Sequence, residues 1–478
     1  MKRNIYILFF LSLFLISAEA NAEIKLPDIF GENMVLQQQA DAAIWGKSTE
    51  NKEVKVTTSW DNKSYTAQPD SRGNWKVNVK TPKAGGPYSI TISDGERLIL
   101  ENVMIGEVWI CSGQSNMEMP MCGYMNLPVT GANKAIATSR NNKIRLFTVE
   151  RNKSTEKLDD FTGEWLECRP ENVADFSAVA YYFGEMLNEV LDIPVGLICS
   201  SWAGTRIEPW ISENGLKDFD WVTMPDKDKK EELSEQTPAI LFNAMIAPMV
   251  NFEIQGVIWY QGESNKNEPF KYEKLMTGLI NDWRREWGSS DIFFFYVQIA
   301  PFDYSTWGGR WLGSSSAFLR EAQLKASTAT ANTGMVCLMD VGEKENIHPP
   351  DKKVVGERLA YLALAKTYGI KGIEYSGPVP VLKEMKVEGS TVRLTFDHAE
   401  KGLTSYGKKP ENFKIAGENK RFVPAEAFIR GNQVILISPW VKNPVAVRYA
   451  FEDFVVGDIF NTAGLPASSF RTDDWEIE

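Results

Sequence analysis

VWICSGQSNMEMPM, residues 108–121, decides how the rest of the chain is read. An apolar run, Val108 to Cys111, stops without a proline and gives way to Ser-Gly-Gln-Ser-Asn. A strand of continuous apolar residues is buried on both faces. The polar cluster therefore sits where a strand leaves the core, and two serines there, Ser112 and Ser115, compete as an exposed nucleophile.

Similar runs flank it. KIRLFTV, VGLICSSW, IQGVIWYQG, DIFFFYVQIA and MVCLMDVG are near-continuous and apolar, and helical periodicities separate several of them. Val179, Tyr182, Phe183, Met186 and Val190 share a face before Pro194. Tyr272, Leu275, Met276, Leu279, Trp283 and Trp287 do so before Gly288, and Val355, Leu359, Leu362 and Ala363 follow Asp351. Strands alternating with amphipathic helices predict a parallel α/β sheet covered on both faces. In such sheets ligands bind beyond the carboxyl ends of the strands. Residues 23–105 and 376–478 differ in texture. Segments such as NWKVNVK, YSITIS, STVRLTFDH and NQVILIS alternate and are broken by turn residues, which predicts β-sandwich-type regions on either side of a central domain at 106–375.

The first 22 residues carry Lys2 and Arg3, an apolar run and Ala20-Asn21-Ala22, the pattern of a cleaved secretory signal. The mature chain is expected in the periplasm or outside the cell, with no membrane attachment after cleavage. A formal charge of −11 argues against a nucleic-acid partner. Of the five cysteines, Cys111, Cys199 and Cys337 fall in apolar strands, leaving Cys122 and Cys168 as the one pair to consider for a bridge. With no CxxC and only His348 and His398, a histidine-rich metal site is excluded.

Four strand ends carry polar clusters, in CSGQSN, SWAGTRIEPW, WYQGESN and DVGEKENIHPPDKK. A serine needs a base within hydrogen-bond reach. His348 lies at a strand end and His398 in the C-terminal β region, which favours His348. Acyl transfer also needs donors for the oxyanion, and the N–H of Ser115, the N–H of Gly204 and the amide of Gln261 or Asn265 are the candidates. Glu263 paired with Asp340 would be the carboxylate pair of a glycosidase, but bracing of the Gln261 loop is the plainer reading of Glu263. Gln114, Asn116, Arg206 and Glu263 are the candidate substrate contacts around these positions, and the Trp307 to Gly313 loop, WGGRWLG, is either a sugar-site wall or a self-packed loop. PDKDKKEEL at 225–233 reads as a solvated insertion.

GQSNMEM, SWAGTRIEPW, WYQGESN and IHPPDKKVVGERLA resemble the blocks of the SGNH-hydrolase superfamily, in the form carried by the sialate O-acetylesterase family. LPDIFGENMVLQQ and IWGKS resemble that family's β domain. The resemblance implies a flavodoxin-like three-layer α/β/α domain and removal of O-acetyl groups from a carbohydrate without metal or organic cofactor. It puts the nucleophile on Ser115, the base on His348, and the oxyanion donors on the Ser115 N–H, Gly204 and Gln261. Many superfamily members carry an aspartate three residues before the histidine. Here that position is Glu345, and Glu343, Asp340 or a backbone carbonyl compete for its role. The sugar is either a sialic acid or a plant polysaccharide such as acetylated xylan. A longer-chain lipase or thioesterase, and a non-catalytic carbohydrate binder on a degenerate scaffold, are the rival readings.

Overall fold

The structure, a computed structural model, describes residues 24–48, 52–226, 233–306, 315–380 and 382–475. The signal segment, the 307–313 loop and most of the charge run at 225–233 lie outside the described residues.

The apolar runs form one central sheet. Its strands are β1 (Arg97–Gly113), β2 (Asn141–Thr148), β3 (Trp165–Cys168), β4 (Val195–Ser201), β5 (Gly256–Tyr260), β6 (Phe293–Val297) and β7 (Thr333–Val336). They lie side by side in the order β3-β2-β4-β1-β5-β6-β7, all parallel except the β3 edge. Setting aside β2 and β3, the order β4-β1-β5-β6-β7 is the doubly wound, flavodoxin-like one.

Alternate residues of each strand feed opposite faces. Val108 and Ile110 join Trp259, Phe294, Leu275, Leu279 and Trp283 in one core. Trp109 and Cys111 join Val179, Phe183, Leu359 and Leu362 in the other. The first core is covered by Pro269–Trp287, the second by Ala178–Leu191 and Lys352–Lys366. All three helices carry the expected apolar stripes, although Val190 is 45% exposed. The latter two pack closely at Gly356, where a Cβ would lie 2.8 Å from Val179 O.

β1 has 17 residues and serves two neighbourhoods. Its first half pairs antiparallel with Gly85–Ser93, and its second half lies parallel between β4 and β5. The boundary read at residues 105 and 106 falls inside this strand, so N-terminal strands and the central sheet share one hydrogen-bonded ladder. The C-terminal strands form separate sheets around their own core, which includes Leu394, Phe413, Val434 and Tyr449. Polar side chains lock this unit to the central layers. Buried Arg320 donates to Ser469 Oγ at 3.0 Å, and Ser316 donates to Asp453 Oδ1 at 2.8 Å. All five cysteines are free. The bridge considered between Cys122 and Cys168 is therefore absent: Cys168 is buried on the β3 edge and Cys122 is exposed. No described helix is long and apolar enough to cross a membrane.

Candidate active site

The chain turns sharply at the carboxyl end of β1. Gly113 has φ +138°, and a Cβ there would lie 2.1 Å from Tyr260 O, so only glycine lets β1 and β5 end this close together. Gln114 N–H donates to that same carbonyl at 2.9 Å, and its own carbonyl accepts from Met117 and Glu118 N–H. Ser115 opens the short helix Ser115–Glu118, and no acceptor among the described residues takes its N–H. Ser112, by contrast, is fully buried on the strand.

The loop after β7 brings His348 across to this turn. Its Nε2 lies 2.8 Å from Ser115 Oγ. The Tyr124 ring stands edge-on to the imidazole, with centroids 5.5 Å apart, and the Tyr124 hydroxyl donates to Ser115 O. His398 sits in the C-terminal β unit beside Tyr375.

The acid expected behind His348 is not there. His348 Nδ1 is buried and makes no hydrogen bond. Glu345 and Glu343 are exposed and do not bond the ring, because the loop turns their side chains to solvent. Asp340 is taken in bidentate fashion by Arg358, at 2.8 and 2.6 Å. Glu345→Gln is thus expected to leave kcat within about threefold of the parent, as a surface change away from the reacting atoms does. Steady-state kinetics on an aryl acetate check this, and a loss above about thirtyfold would restore a catalytic role to Glu345.

A second correction concerns Gln261. Its side chain is fully buried, and Nε2 donates to Thr205 O at 3.1 Å and to Asn265 Oδ1 at 2.8 Å. Its Oε1 accepts from Tyr272 at 2.8 Å. Both amide hydrogens are engaged inside the core, so Gln261 ties the β5 loop to the β4 loop and does not face a ligand. Asn265 is likewise occupied, donating to Glu208 and accepting from Ile207 N–H and Gln261.

Gln114 presents the opposite case. Its Oε1 accepts from Gly262 N–H at 3.3 Å and Ser264 N–H at 3.4 Å, which orients the amide nitrogen the other way. That nitrogen has no partner among the described residues and is not sealed from solvent. Gly204 is exposed at φ +76°, with open space where a Cβ would point. Its carbonyl accepts from Ser264 Oγ at 2.8 Å and Gln236 at 2.9 Å, which holds the β4 loop against the β5 loop. Arg206 pairs with Glu208 at 2.7 Å and with Glu268.

Behind the serine lies a buried polar chain. Asn116 donates to Glu263 Oε1 at 2.6 Å and to Ile347 O at 3.1 Å, and its Oδ1 accepts from Lys352 Nζ at 2.5 Å. Asn116 thus braces the turn from within, and Glu263 braces Asn116. Burial pushes the Glu263 carboxyl up, while the Asn116 bond and the Lys352 charge pull it down. Burial also lowers Lys352 to about 7, with Glu263 opposing. His348 is lowered to about 4, first by burial and then by the Lys352 charge. Lys352 and Tyr124 were not singled out from the sequence. Lys352 had one signal, its place directly after the helix cap Asp351, four residues beyond His348. Tyr124 had none.

No group of three or more His, Cys, Asp or Glu side chains among the described residues is arranged to hold a metal ion. A cavity of about 680 Å³ lies elsewhere, between the N-terminal strands and residues 158–160 and 247–251.

This geometry can be set beside known proteins. The chain is 35% identical to a carbohydrate acetylesterase from Xanthomonas citri of known crystal structure, with a TM-score of 0.86 over 95% of this chain and 100% of that one. Sialate O-acetylesterase from Mus musculus is 28% identical, covering 91% of each chain, and the Homo sapiens protein of the same name is 30% identical over 78% of this chain and 76% of its own. The family profile described as carbohydrate esterase, sialic acid-specific acetylesterase matches residues 105–365, more than half of the sequence. With that match laid over the strands that carry Ser115, Gly204, Gln261 and His348, the chain belongs to the carbohydrate esterase, sialic acid-specific acetylesterase family.

Proposed function

We propose that this protein is an exported serine esterase that hydrolyses O-acetyl esters of carbohydrates through an acetyl-enzyme. The observation that carries the reading is the 2.8 Å contact between Ser115 Oγ and His348 Nε2 at the carboxyl edge of the sheet. Ser115 Oγ attacks the acetyl carbonyl while Nε2 takes its proton. The C–O bond to the sugar then breaks, and the imidazolium returns that proton to the leaving hydroxyl. Water, activated by the same imidazole, releases acetate and restores Ser115.

The oxyanion is held by the Ser115 N–H, the Gly204 N–H and the Gln114 amide nitrogen. Support for the last is that its amide nitrogen, next to Ser115, has no partner among the described residues and is oriented by two backbone donors to Oε1. Asn116 and Glu263 support the nucleophile turn. Arg206, about one third exposed, lines the approach with its charge offset by two carboxylates. Export rests on the 1–22 segment. Neither metal nor organic cofactor enters these steps, and the partner is the acetylated sugar. The names of the relatives support sialic acid or another acetylated carbohydrate as substrate. Acetate release from 9-O-acetyl sialic acid, acetylated xylan and acetylated pectin distinguishes these, and failure on all three while long-chain esters turn over would overturn the reading.

The pH profile follows from the base. His348 must be neutral to accept a proton, and its pKa lies near about 4 instead of the ordinary 6.5. The acid limb of kcat/KM is therefore expected well below pH 6, with the rate falling about tenfold per unit only beneath it. A limb centred near 6.5 would show an ordinary, solvated imidazole.

A further inference from the structure

Among the described residues no carboxylate stands behind the Ser115–His348 pair, yet the imidazole is held in line with the serine. A histidine in such a pair is ordinarily oriented by the group that bonds its second nitrogen. Here the constraint comes from the other side. Asn116 grips the carbonyl of Ile347, the residue next to His348, at 3.1 Å. Asn116 is itself fixed at both ends, by Glu263 at 2.6 Å and by Lys352 Nζ at 2.5 Å. Glu263, Asn116 and Lys352 are 6%, 1% and 0% exposed. The chain joins the end of β1, the end of β5 and the start of the Lys352–Lys366 helix, so it spans the segments that must be in register for the pair to form.

A lysine this deep is costly to bury, and here it meets its counter-charge only across the Asn116 amide. A fold needing only packing at that position would be served by an apolar residue. We propose that Lys352 is a positioning residue for this reaction: acting through Asn116, it holds the loop that carries His348 in line with Ser115, the orienting part alone of what a carboxylate behind the imidazole does elsewhere. The inference rests on the reading of Ser115 and His348 as nucleophile and base.

Lys352 has a second effect on the same ring. The titratable groups around His348 are few: Lys352 from the helix, the neutral phenol of Tyr124 from the segment after Ser115–Glu118, and Glu263 behind Asn116. Asp340 is held by Arg358, Asp351 caps Val354 N–H, and Glu343 and Glu345 face solvent. The Lys352 ammonium opposes protonation of the ring and keeps the base available. Glu263 offsets part of that charge when the imidazolium forms.

Lys352→Met tests both effects. The expected result is a fall in kcat of about tenfold to a hundredfold, as for a small misplacement of reacting groups, with KM within about twofold. The acid limb of kcat/KM should also move up toward the ordinary imidazole range, because a nearby like charge has gone. The chain has only two histidines, so imidazole proton resonances, assigned with His398→Gln, report the same shift in the folded protein. If the single variant does not fold, Lys352→Met/Glu263→Gln removes both charges from the core and reads the kcat-against-KM split. A folded variant of either kind with parental kcat, or a folded single variant with an unmoved acid limb, overturns the proposal. Ser115→Ala separates the two readings. If it is inactive while Lys352→Met is parental, only this inference fails; if it retains turnover, the catalytic pair fails as well.

Discussion

Ser115→Ala is expected to lower kcat on 4-nitrophenyl acetate by about 10⁴-fold or more while the protein stays folded. The substitution removes a single oxygen from a side chain that is 9% exposed and has one side-chain partner, His348 Nε2. No other described residue hydrogen-bonds that oxygen, so circular dichroism and the melting temperature should be nearly unchanged. The oxyanion donors remain in the variant, which sets the residual rate above that of water alone. Because the covalent step is lost, no acetyl-enzyme burst should be seen. Turnover within tenfold of the parent would rule out Ser115 as the nucleophile.

Gln114→Glu carries the second large effect, with kcat reduced about a hundredfold or more and KM little changed. The substitution keeps an oxygen to accept the Gly262 and Ser264 N–H groups, so the loop is retained. What changes is the other atom, an N–H donor replaced by an anionic oxygen facing the developing oxyanion. An interaction made only in the transition state lowers kcat and kcat/KM together. Gln261→Ala provides the contrast. It removes a buried donor from Thr205 O, leaves Asn265 Oδ1 only its Ile207 N–H bond and the Tyr272 hydroxyl only the Gln261 backbone carbonyl, and should cost about 1–3 kcal/mol of stability. Its loss should appear in the melting temperature and not in kcat of the folded fraction. A Gln261→Ala protein that melts normally but loses kcat would return the oxyanion role to Gln261.

The layered fold was readable because burial on both faces leaves an unmistakable apolar run. Val108 and Ile110 enter one core while Trp109 and Cys111 enter the other, and either choice of face needs the same residue types. Helix limits were readable where capping chemistry is local, as at Asp351, which accepts from Val354 N–H, and Gly288, which takes φ +66°. The join at residue 106 was not. Turn residues before it suggest a boundary, yet β1 continues through because its two halves find different neighbours.

From the sequence alone came the strands, their carboxyl ends, and the serine and histidine that stand there, since these depend on residue type and near neighbours. Tertiary structure alone decided which polar groups are committed. Gln261 and Gln114 are the same residue at similar strand ends, yet the amide of the first is fully bound within the core and the amide nitrogen of the second has no partner among the described residues. Glu345 has the expected spacing from His348, and the loop turns it to solvent. Lys352 reaches Asn116 from 236 residues away. A buried hydrogen bond is set by where the backbone carries donor and acceptor, and across such separations that position is a property of the whole packed sheet, not of any stretch of sequence.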